Sequence, residues 1–83
     1  MKLVKIVWND SILDTSGWAD LDTYDFNNHL KSMRMETVGY LIKATDEAVF
    51  VAQTVANNQI ASVVSIPSGC IKSIRKLNKT FKE

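Results

Sequence analysis

The side chains with the most chemistry to offer are two indoles, two arginines, and a carboxylate beside a hydroxyl. Trp8-Asn9-Asp10-Ser11 joins an aromatic plane, a carboxylate and a hydroxyl in one short run. A carboxylate next to a hydroxyl holds a ribose or an exocyclic amine, while an indole stacks on a base. Trp18, after Gly17, is a second indole, carried where a loop would act as a lid. Tyr40 adds a ring with a polar tip beside Gly39. Arg34 and Arg75 are the only arginines, and each suits bidentate contact with a phosphate or diphosphate. The candidate ligand-binding set is therefore Trp8, Asp10, Ser11, Trp18, Arg34, Tyr40 and Arg75. Each has a plainer reading beside it. Trp8 reads equally as a core residue before an Asx turn, Trp18 as a plug pinning its loop, and Tyr40 as a core or interface tyrosine. The arginines read equally as surface or intersubunit ion pairs.

Catalysis finds less support. His29 has no acid or nucleophile beside it, as a general base requires, and a structural role is expected. Cys70, between Gly69 and Ile71, reads as a buried apolar thiol. Asp20, Asp22 and Asp25 are dense loop carboxylates of the solvated kind. The chain contains no Gly-rich phosphate loop, metal-ligand cluster or nucleophile elbow. The expectation is a protein that is not an enzyme and uses neither a cofactor nor a metal.

The 83 residues make one small domain, 1–83, with a frayed tail expected over 78–83. Chains of this size bury a limited share of their surface, and their stability ledger comes out near zero without added support. One cysteine excludes an intrachain disulfide, and one histidine with one cysteine cannot fill a tetrahedral zinc site. Homo-oligomerisation is the expected support, with a simple monomer of modest core as the alternative. No apolar run approaches the roughly 20 residues that span a bilayer. Met1-Lys2-Leu3-Val4-Lys5 leads into strand-like alternation, so neither a signal peptide nor a membrane partner is expected. A lone thiol suits a reducing cytosol, pointing to a cytoplasmic location. Net charge is +1 but unevenly spread: Asp10, Asp14, Asp20, Asp22 and Asp25 crowd the first third, and Lys72, Arg75, Lys76, Lys79 and Lys82 the end. That basic end fits either a tail crossing the acidic loop of the same or a neighbouring subunit, or an anion-binding edge.

The elements that must position these residues are strands. Residues 2–8 alternate, with Leu3, Lys5 and Val7 on one face and Val4, Ile6 and Trp8 on the other. Asn9-Asp10-Ser11 predicts a turn. Residues 12–31 predict a long ordered loop, with at most a short helical turn, pinned by Trp18, Leu21, Phe26 and Leu30. A second strand is expected over 33–45, with Gly39 at a bulge or bend. A third over 48–56 follows an Asp46-Glu47 turn, and a fourth over 59–66 follows an Asn57-Asn58 turn. Pro67 and Gly69 predict a corner, then a 3₁₀ turn spaced by Ile71 and Ile74, then a short edge strand. The strand face bearing Leu41, Phe50, Ala52 and Val63 is expected to be partly exposed, as an interface would be.

Val38-Gly39-Tyr40-Leu41-Ile42, Ala48-Val49-Phe50-Val51-Ala52 and Ile66-Pro67 through Ile71 and Ile74 resemble the meander of small SH3-like and Sm-like barrels. The resemblance covers about half the chain and implies an all-β, five-strand SH3/Sm-like barrel with a long loop after the first strand. Sm-like RNA binders open with a helix, whereas this chain opens with a strand. Ala44-Thr45-Asp46-Glu47 and Pro67-Ser68-Gly69-Cys70 stand where their RNA pocket residues would be. The spacing of Val7-Trp8-Asn9-Asp10-Ser11, Gly17-Trp18, Val38-Gly39-Tyr40-Leu41 and Ile66-Pro67 is similar to a group of small proteins encoded by phages and prophages. That resemblance carries no transferable activity. The expected function is that of an oligomeric phage-type binding protein that captures a nucleotide-derived small molecule, such as a host immune signalling nucleotide, as an anti-defence sponge. The alternatives are a nucleic-acid binder of the Sm-like kind and a structural or host-protein-binding module.

Overall fold

A computed structural model describes residues 1–13, 15–29 and 32–78. The chain runs β1 (Leu3–Asp10), α1 (Phe26–His29), β2 (Met33–Ala44), β3 (Ala48–Ala56), β4 (Gln59–Pro67), a 3₁₀ turn (Ser68–Cys70) and β5 (Ile71–Lys76). The strands form one antiparallel sheet in the order β4-β3-β2-β1-β5, which leaves β4 and β5 as its edges. The all-β expectation holds at that level.

Alternation decides which face folds the sheet. Val4 and Ile6 of β1, Val49 and Val51 of β3, and Ile66 of β4 form the buried cluster, with Trp8, Leu41, Val64 and Ile71 packed at its margin. Trp8 is held there by its indole N–H, which donates to Thr37 Oγ1 at 2.9 Å. The sheet is irregular at two places, between Val7 and Trp8 against β5 and between Leu41 and Lys43 against β3. Such shifts bend strands and raise their twist. The 3₁₀ turn is fastened across the sheet, Ser68 N–H donating to the Glu47 carbonyl at 2.9 Å.

Several sequence expectations change. β1 continues through Asn9 and Asp10, because both find partners in β2, Arg34 and Met33; cross-strand pairing overrides their turn preference. The 3₁₀ turn falls on Ser68–Cys70, and Ile71 and Ile74 already belong to a strand. Of the residues expected on a partly exposed face, Ala52 is buried, Leu41 and Phe50 are half-buried, with Leu41 packed against the core, and Val63 is exposed. Cys70 is half-buried rather than buried. The largest change concerns the segment between β1 and α1. Trp18, Leu21 and Phe26 do not pin it: Trp18 is 106% exposed and Leu21 78%. Leu30, the fourth expected anchor, and the tail beyond Asn78 lie outside the described residues.

Candidate functional site

The face of the sheet opposite the core carries the charged candidates. β1 is central to the β5-β1-β2 side, so its outward residues Lys5 and Val7 each meet one neighbour on either hand. Lys5 lies opposite both Arg75 of β5 and Val38 of β2. Val7 lies opposite both Ser73 and Glu36. Asn9 lies opposite Arg34. Lys5, Val7, Ser73 and Arg75 line a notch of about 160 Å³.

Charges on this face do not cancel. Like charges directly opposite one another across strands are destabilising, and Lys5 and Arg75 stand in that relation. Glu36 offsets part of it, with its Oε1 2.8 Å from an Arg34 nitrogen and 3.4 Å from Lys5 Nζ. The Arg34 hydrogen bond, then the Lys5 contact, hold the Glu36 carboxyl below the usual glutamate range. Arg75 makes no ion pair among the described residues. The face therefore presents three cations against one carboxylate, with an aliphatic floor at Val7. It can bind an anionic group, Arg75 offering its guanidinium fork, Lys5 a point charge and Ser73 a hydroxyl.

The structure brings together some of the residues singled out from sequence and disperses others. Arg34, Arg75 and Tyr40 share the outward face, Tyr40 lying opposite Leu3 of β1 and Ala52 of β3. Trp8 points to the other face and supports the core. Asp10 and Ser11 border a separate groove of about 520 Å³, lined also by Asn9, Ser32, Gly69, Cys70, Ile71 and Lys72. Ser11 N–H donates to Asp10 Oδ1 at 2.8 Å; that bond links adjacent residues and is not the Asx turn expected after Trp8, which joins residues two apart. Trp18 borders none of these sites. Lys5 and Ser73 were absent from the candidate set. The alternation of residues 2–8 places Lys5 away from the core face, but only the pairing of β5 with β1 reveals the arginine beside it.

Among the described residues, no group of His, Cys, Asp and Glu is arranged to hold a metal ion, and no helix is long and apolar enough to cross a membrane. No protein-family model, curated protein or solved structure matches this chain.

Proposed function

We propose that the chain is a small binding protein that captures a nucleotide-derived small molecule through its phosphate on the outward β5-β1-β2 face. The observation that carries this reading is Arg75, which sits across from Lys5 and makes no ion pair among the described residues. The notch is shallow and small for a whole nucleotide, so a second copy is proposed to supply the remaining wall. The phage-type resemblance makes a host immune signalling nucleotide the expected cargo and the host cytoplasm the expected location. We read the scaffold as an SH3-like or Sm-like barrel. Support comes from the four-strand meander, a fifth strand returning beside the first, and two register shifts that bend the sheet.

A second reading, nucleic-acid binding, is favoured by the open β5 edge, whose strand carries Lys72 and Lys76 besides Arg75. Salt separates the two. A phosphate-backbone binder loses affinity steeply with salt, in proportion to the phosphates neutralised. The test is native mass spectrometry of the purified protein with a defined panel of mono-, di- and cyclic nucleotides, repeated with Arg75→Ala. A stoichiometric adduct that Arg75→Ala abolishes supports capture. No adduct from the panel, with salt-sensitive binding of an oligonucleotide, transfers the face to nucleic acid.

A further inference from the structure

The segment from 11 to 26 is apolar in a way that one copy does not use. Leu13 is 82% exposed, and Trp18, Leu21 and Phe26 stand largely in solvent. Its shape comes from bonds between near neighbours. Asp22 N–H donates to Asp20 Oδ1, the Thr23 and Tyr24 amides donate to the Asp20 carbonyl, and Tyr24 packs edge-on against Phe26 at 4.8 Å. The segment is also acidic: residues 11–29 hold four aspartates and no lysine or arginine. Asp20 and Asp22 make no ion pair among the described residues.

The complementary surface is the β5 edge. Among the described residues β5 pairs only with β1, so its outer side has no strand partner there. It carries Lys72 and Lys76, neither in an ion pair among the described residues, and a 45% exposed Ile74. An acidic arm with bare apolar side chains and a basic edge with an exposed isoleucine thus occur in one chain and leave each other's charges unmet.

The surface available is large enough for a stable contact. A compact monomer of 9.3 kDa exposes about 5,000 Å², whereas this chain exposes 6897 Å². The excess, about 1,900 Å², is spread over the whole chain, and a standard interface takes roughly 800 Å² from each partner. The Cα radius of gyration tells the same story, at 17.2 Å against about 12 Å for a compact domain of this length.

We infer that the 11–26 arm of one copy docks on the β5 edge of a second copy, setting Asp20 and Asp22 against Lys72 and Lys76 and covering Trp18 and Leu21. The inference does not rest on the ligand reading, because assembly is measured without ligand.

The experiment is sedimentation equilibrium on the full chain, at low and high salt, with circular dichroism confirming the fold of each variant. The wild type is expected to self-associate, more weakly at high salt. Asp20→Lys with Asp22→Lys, and separately Lys72→Asp with Lys76→Asp, should each weaken association roughly a hundredfold through like-charge contact. Combining all four should restore most of it, and Trp18→Ala should weaken association about tenfold. A monomeric wild type overturns the inference, including one in which the arm folds back on its own β5. So does an oligomer that the reversals leave intact, or a combined variant no better than the single reversals. Self-association with charge rescue but no nucleotide adduct would uphold the arm contact and reject the ligand reading alone.

Discussion

Gly39 is where the sheet can be tested most sharply. It is buried in β2, and a Cβ built there would stand 2.8 Å from the Ala52 carbonyl oxygen and 3.1 Å from Val51 Cγ1. Both neighbours belong to β3 and are fixed by pairing, Ala52 to Tyr40 and Val51 to Leu41. The oxygen is backbone, so no side-chain rotation relieves the contact. An unstrained carbon-to-oxygen approach is about 3.3 Å or more, so Gly39→Ala must part β2 from β3 by several tenths of an ångström. Overpacking of this kind costs about 1–3 kcal/mol. Restricting the unfolded chain returns about 0.4–1 kcal/mol. The net expectation is a loss of about 1–2 kcal/mol, which for a domain of this length lowers Tm by about 4–16 °C. The assay is thermal and urea unfolding followed by circular dichroism at fixed protein concentration, because assembly would otherwise shift the midpoint. Gly69→Ala is the control: nothing lies within 4 Å of its built Cβ and its φ is not in the left-handed region, so only the gain of about 0.4–1 kcal/mol from restricting the unfolded chain is expected. A Gly39→Ala variant as stable as the control would refute the close approach of the two strands.

Two further predictions concern single side chains. Trp8→Phe keeps most of the ring and removes the 2.9 Å bond to Thr37, so a loss of about 0.5–1.5 kcal/mol is expected in urea unfolding; an unchanged midpoint would show that the bond contributes nothing. Glu36 has a folded pKa below its unfolded one, so the unfolded chain takes up the proton first. Its support is present above the ordinary glutamate range and is lost as pH falls through the folded value. Glu36→Gln should release Lys5 and Arg34 to an anionic ligand and tighten binding by about two- to fivefold at low ionic strength, with the gain vanishing in high salt. Weaker binding of the variant in titration calorimetry would place the anion elsewhere.

The parts of the fold legible in the sequence were those set by neighbouring residues. The Asn57-Asn58 turn has φ of 49° and 65°, as its two asparagines predict, and β3 occupies its expected span. Non-local effects were not legible. Asn9 and Asp10 extend β1 because β2 offers them partners some 25 residues later. The Lys5–Arg75 juxtaposition depends on β5 returning to β1 across nearly the whole chain. Arg75 could be nominated by residue type, but Lys5 could not be nominated without the topology. Hydrophobicity marked Trp18, Leu21 and Phe26 as anchors; it could not say that this fold leaves them exposed.

Strand alternation separates the roles of this small chain. Along β1, Val4, Ile6 and Trp8 face the core, while Lys5 and Val7 face the outward notch. The β5 edge is a third surface, the backbone side of that strand away from β1, with Lys72 and Lys76 along the strand. Neighbouring residues on a strand point to opposite faces, so a substitution at Lys5 or Arg75 removes charge without opening a cavity. Ile6, 0% exposed, is the contrasting case, where truncation damages the fold and every function with it. Loss of anion binding in a variant whose unfolding midpoint is unchanged is therefore direct information about the outward face. The same logic holds at the edge, where loss of assembly in a folded chain reports on the arm and β5 alone.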